Sequence, residues 1–168
     1  PKFLEALGKK NGYQHLYLEA AATANSDNAQ FPWMNNSEFY TLTMATEHDD
    51  EILLTRIGAN DPDFNLRKEP CIILRRSNTK STLFASVIEP HGRYSTVTES
   101  ARNSSSSIVQ LTVLQDDEKY TAVTIKTVKG STRLFIVSNQ DTGASVSHSV
   151  EINGQDHSWS GPYLYSSI

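Results

Sequence analysis

Short runs in which apolar and polar residues alternate recur along almost the whole chain, and no other feature constrains the fold as strongly. In a strand every second side chain returns to the same face, whereas a helical face recurs about every 3.6 residues. In Tyr13–Glu19, Tyr13, His15 and Tyr17 fall on one face and Gln14, Leu16 and Leu18 on the other, with Gly12 turning the chain beforehand. Glu38 to Thr46 alternates Phe39, Thr41 and Thr43 against Tyr40, Leu42 and Met44. His48-Asp49-Asp50 is a turn, and Glu51 to Ile57 is expected to return as the second arm of a hairpin. Cys71 to Arg76 and Leu83 to Ile88, joined by a turn around Asn78, are expected to be half-buried strands. A meander follows through Ile108–Leu114, Tyr120–Val128, Arg133–Val137 and Val146–Ile152. Its corners are Asp116-Asp117, Lys129-Gly130, Asp141-Thr142-Gly143 and Asn153-Gly154.

Between these runs the sequence is polar or broken by proline. Ala22 to Ser37 contains Pro32 and reads as a surface loop carrying Phe31 and Trp33; Gly58–Pro70, with two prolines, and Glu89–Ser107 read as two further loops. Ser104–Ser107 is low in complexity and is expected to be a mobile tip. Only Phe3–Leu7 could be helical, and it is too short to stand alone. Roughly nine or ten short strands with closely spaced turns predict an all-β, antiparallel β-sandwich of two packed sheets. The 168 residues suit a single domain over residues 1–168, since domains commonly run to about 100–200 residues. Its expected core is Leu16, Leu42, Leu53, Ile73, Val87, Leu111, Val123, Ile125, Leu134, Ile136 and Val150.

Charge and cysteine content narrow the function classes. A net charge of -4 provides no overall positive field toward nucleic acid or an anionic membrane. Lys9/Lys10, Arg67/Lys68 and Arg75/Arg76 are adjacent pairs, and neighbours on a strand face opposite ways, so they form no patch. No stretch approaches the roughly 18–20 apolar residues of a membrane span, and no basic-then-apolar segment marks a signal peptide. Cys71 is the single cysteine, so no intramolecular disulfide staples the fold, and its apolar setting in Cys71-Ile72-Ile73-Leu74 points to a buried structural thiol. The chain starts at Pro1 without an initiator methionine, which points to an internal start within a longer polypeptide.

The usual signatures of catalysis are missing. There is no Gly-rich phosphate loop and no His-Glu-x-x-His, and His15, His48, His91, His148 and His157 are scattered singly, whereas zinc needs three or four converging ligands. No metal or cofactor is therefore expected. Two segments concentrate polar chemistry. In Gly58–Pro70, Asp61, Asp63 and Glu69 are interspersed with Asn60, Asn65 and Arg67, which suits either a turn held by Asx-type bonds or a binding loop. In Glu89-Pro90-His91-Gly92-Arg93-Tyr94 a strand end presents a carboxylate, an imidazole, a guanidinium and a phenol, either as binding groups or as an ordinary polar loop. Trp33 and Trp159 could stack on sugar rings or cover an edge of the core.

Three stretches carry a family resemblance: Leu7-Gly8-Lys9-Lys10-Asn11-Gly12-Tyr13-Gln14-His15-Leu16, the whole of Gly58–Pro70, and Val87-Ile88-Glu89-Pro90-His91-Gly92-Arg93-Tyr94. Together they resemble the C-terminal region of oligoalginate lyases, polysaccharide lyase family seventeen in the heparinase II/III-like superfamily. The likeness covers nearly all of the chain and ends with Trp159-Ser160-Gly161-Pro162-Tyr163.

The resemblance implies a longer bacterial protein, periplasmic or secreted, with an α/α toroid followed by antiparallel β domains, which cleaves alginate oligosaccharides by β-elimination from a chain end. In that family the catalytic tyrosine, the Asn-His pair and the zinc site lie upstream, so no catalytic or metal residue is expected in this chain. Its partners would be alginate oligosaccharides and the upstream toroid and β domain of the same polypeptide. Glu99, with His91 and Tyr94, is the expected contact to the sugar, and Glu89, Arg67 and Asn60 are further candidates. Two rival readings are a free-standing carbohydrate-binding module for an acidic polysaccharide and a purely structural β domain.

Overall fold

The computed structural model describes residues 16–59 and 67–168. In chain order its strands are β1 (Leu16–Thr23), β2 (Asn28–Asn35), β3 (Glu38–Ala45), β4 (Glu51–Ala59), β5 (Arg67–Arg75), β6 (Ser86–Ser95) and β7 (Ser100–Arg102). They continue as β8 (Ile108–Asp116), β9 (Tyr120–Thr127), β10 (Thr132–Ser138), β11 (Ser147–Ile152), β12 (Gln155–Ser160) and β13 (Tyr163–Ser167). The described fold is all-β, every pairing is antiparallel, and the chain divides into two compact units. The short segment Phe3–Leu7 lies outside the described residues, as do the first residues of the Tyr13–Glu19 run.

The first unit holds the sheet β1-β4-β5. Its central strand β4 buries Leu53 and Thr55, and the Thr55 hydroxyl donates to the carbonyl of Cys71 across the ladder at 3.0 Å. Cys71 itself is half-buried. A bulge in β1 leaves Glu19 unpaired between Leu18 and Ala20, where it meets Arg56 at 2.8 Å. Asp50, only 1% exposed, accepts from the Glu47 amide at 2.8 Å and from Arg76 Nε and Nη2 at 2.8 and 2.6 Å. A buried carboxylate needs such a paired fork to offset its lost hydration.

In the second unit the sheets β2-β3-β6-β7 and β13-β10-β9-β8 are arranged like a sandwich. Side chains of β2 bind the backbone of β8: Asn28 donates to Leu111 O at 2.7 Å and accepts from Leu111 N at 2.9 Å, and Gln30 donates to Ile108 O at 2.8 Å. On the opposite face of the second sheet, Ala122, Leu134 and Ile136 pack with Ile152 of the β11–β12 hairpin. That hairpin turns at Asn153 and Gly154, both with positive φ (52° and 79°), as its Asn-Gly corner requires.

Several local expectations give way to tertiary pairing. β3 does not form a hairpin with β4: it pairs with β2 and β6, while β4 pairs with β1 and β5. Nor do the strands on either side of Asn78 pair with each other. The expected loop from Ala22 contains β2, because Pro32 sits on a sheet edge where its missing N–H is not needed. Pro70 lies likewise on edge strand β5, so the described end of the Gly58–Pro70 stretch is strand. The expected loop from Glu89 begins as the second half of β6, and Pro90 lies where β7 no longer pairs. Leu53, Leu111, Leu134 and Ile136 are buried as expected, and the other expected core residues are half-buried. In β3 the buried positions are Thr41 and Thr43, and Leu42 takes the other face.

Candidate functional site

Strand β6 carries the Glu89–Tyr94 segment, and the structure separates its side chains onto two faces. Glu89 pairs with Thr41, whereas Pro90 and Gly92 pair with Tyr40 and Phe39, so His91 is the extra residue of a β-bulge. Its Nδ1 lies 2.7 Å from the carbonyl oxygen of Asn103, which can only accept, so Nδ1 carries the proton. In the neutral ring Nε2 then accepts from the Thr41 hydroxyl at 3.0 Å, and Phe39 stacks on the imidazole with centroids 6.2 Å apart. Gly92 permits this close approach: a Cβ there would collide with the carbonyl oxygens of Arg102 and Asn103.

Glu89 accepts from the hydroxyls of Ser106 and Ser107 and from the Ser107 amide at 3.0 Å. Burial pushes its carboxyl up, but these bonds and the nearby His91 outweigh it, holding the pKa below the ordinary 4.5. Ser106 and Ser107 are thus anchored, which corrects the expectation of a mobile tip for that half of Ser104–Ser107. Both Glu89 and His91 therefore serve to hold the segment between Asn103 and Ser107.

The remaining expected contacts are dispersed. Tyr94 is half-buried, pairs with Ala101, and donates its amide to Ser37 O at 2.7 Å. Glu99 is exposed at the tip of the β6–β7 hairpin with φ 47°, and no hydrogen bond or ion pair among the described residues joins it to His91 or Tyr94. Arg67 opens β5 opposite Ala59, in the first unit, and Asn60 lies outside the described residues.

A second grouping occupies the other face of the β2-β3-β6-β7 sheet. Trp33 and Tyr40 are directly opposite and nearly parallel, with centroids 5.4 Å apart. The Tyr40 hydroxyl donates to Glu38 at 3.0 Å, which raises the phenol's pKa, and Arg93 approaches the same carboxylate at 3.4 Å. Arg93 pairs in turn with Arg102. The sequence pattern does not show this grouping because Glu89–Ser107 reads as loop; only the β6–β7 register brings the two arginines together.

Trp159 is a core-edge residue. It stacks on His148 at 5.1 Å and donates its indole N–H to Gly161 O at 3.1 Å. His148 is buried, and its Nε2 has no hydrogen-bond partner among the described residues. Among the described residues no group of three or more His, Cys, Asp or Glu is placed to hold a metal.

No family model matches the chain. It is 31% identical over 163 residues to a protein named alginate lyase from Stenotrophomonas maltophilia (strain K279a), which takes in 97% of this chain and 22% of that protein. The chain is similar to alginate lyases over nearly its whole length. A protein named exo-oligoalginate lyase from Saccharophagus degradans is 27% identical over 161 residues, 94% of this chain and again 22% of the relative. The chain thus spans little more than a fifth of the length of these curated relatives.

Proposed function

We propose that this chain is the C-terminal β region, residues 1–168, of an exolytic oligoalginate lyase of polysaccharide lyase family seventeen and the heparinase II/III-like superfamily. The parent would be periplasmic or secreted and would cleave alginate oligosaccharides by β-elimination. This region packs against an upstream α/α toroid and β domain and helps to position the uronate chain, with Glu99 at the β6–β7 tip as the reaching residue. The observation that carries the reading is the alignment over 97% of the chain with 22% of a protein named alginate lyase.

The chemistry agrees with a positioning role. Removing the C5 proton of a uronate takes a base, groups that neutralise the carboxylate as charge develops, and an acid for the O4 leaving group, all within hydrogen-bond reach. His91 has both ring nitrogens engaged, and Glu89 is saturated by Ser106 and Ser107. Neither is free to act as a base. Glu99, exposed at a hairpin tip, would accept hydrogen bonds from sugar hydroxyls and repel a second uronate, which helps define where the chain stops.

Two assays test this. The isolated chain incubated with alginate oligomers should produce no ultraviolet absorbance of unsaturated uronate, and turnover by the chain alone would refute the role. In the parent polypeptide, Glu99→Ala should raise KM or lengthen the products, and an unchanged kinetic profile would remove Glu99 from the site.

A further inference from the structure

The outward face of the β2-β3-β6-β7 sheet places two rows of side chains next to each other. One row is Trp33, Tyr40 and Pro90; the next, two residues along β2 and β3 and three along β6 across the His91 bulge, and so roughly 7 Å away, is Asn35, Glu38, Arg93 and Arg102. Trp33 is 41% exposed, its indole set against Tyr40. Arg93 and Arg102 lie directly opposite each other on paired strands, an arrangement of like charges that repels. Their only carboxylate among the described residues is Glu38, which meets Arg93 at a long 3.4 Å and is shared with the Tyr40 hydroxyl; Arg102 has no ion pair there.

Two guanidiniums against one shared carboxylate leave several N–H donors free and a local excess of positive charge on an otherwise acidic protein. A planar anion set between them would relieve the repulsion, and guanidinium forks match carboxylates in geometry. The neighbouring indole offers a flat, partly uncovered apolar surface about one sugar ring away, suited to the C–H face of a pyranose. The arginine pair favours a carboxylated sugar chain over a neutral glycan or a purely apolar partner, and the indole accepts its ring.

We infer that this face is a binding surface for an acidic oligosaccharide, Arg93 and Arg102 receiving a uronate carboxylate and Trp33 stacking on the adjacent ring. That the uronate belongs to alginate rests on the function proposed above; that the face takes carboxylated sugars does not. The surface is separate from Glu89 and His91, which lie on the opposite side of the same sheet.

Calorimetric titration of the 168-residue chain with short alginate oligomers, oligogalacturonates and neutral cello-oligomers tests it. Saturable binding of at least one uronate series is expected, weakening with added salt, with no binding of the neutral series. Arg93→Gln and Arg102→Gln, both at exposed positions, should each weaken it about tenfold, the scale of one lost charge-assisted contact, and Trp33→Ala should weaken it independently of salt. Binding of galacturonate but not alginate oligomers would keep this surface while overturning the alginate reading. No uronate binding, equal binding of the neutral series, or full affinity in both folded arginine variants would overturn the surface itself.

Discussion

The imidazole of His91 is hydrogen-bonded at 2.7 Å to the carbonyl of Asn103, twelve residues further along the chain. This bond closes the β6–β7 hairpin from beneath, and Glu89 closes the following segment through Ser106 and Ser107. The hairpin that carries Glu99 is therefore held at its base by two side chains from a single strand.

His91→Ala should loosen that base. The loss of the His91 hydrogen bonds to Asn103 and Thr41 costs about 1 kcal/mol, and amide exchange should quicken selectively over residues 103–108 while the β9–β10 core stays protected.

Gly92→Ala should be more damaging than its size suggests. Its Cβ would meet the backbone carbonyls of Arg102 and Asn103, which cannot move aside as a side chain would. A loss of about 2 kcal/mol or more, the range of steric overpacking, is expected from denaturant unfolding.

Arg76→Ala should cost about 3–5 kcal/mol, because it leaves the Asp50 carboxylate buried without its counter-charge. Asp50→Asn should cost less, since a neutral amide tolerates burial better. Urea unfolding of both variants checks the order, which equal losses would contradict.

Acid should destabilise the protein through carboxyls of lowered pKa, Asp50 and Glu89 among them. The Arg76 fork lowers the pKa of Asp50 against the effect of burial, and the serine bonds lower that of Glu89. A depressed folded pKa contributes stability that is present above the unfolded value and is lost as pH falls through the folded one. Urea midpoints should therefore hold at neutral pH and decline once pH drops below about 4.5. Glu89→Gln should flatten part of that slope.

The sequence was most legible where local chemistry alone decides structure. Asn153-Gly154 marked a tight turn, and the alternation around Val123 and Leu134 marked strands, both of which stand in the structure. It was least legible where pairing partners are distant. The turn at Asp49 is real, with φ 73°, yet it joins strands of different units because β3 buries Thr41 and Thr43 beneath partners that no local pattern names. β12 was missed because Gln155–Ser160 is polar except for His157 and Trp159, whose inward placement depends on β11. The same limit hid the Arg93–Arg102 pair, which exists only through register.

The most direct measurement is product analysis of the parent polypeptide acting on alginate oligomers, followed by ultraviolet absorbance and sized by chromatography. Unsaturated monouronate accumulating from the first turnovers is the result expected of a chain-end lyase in which this region limits how far the substrate enters. No unsaturated product, or an initial spread of intermediate lengths, would contradict it.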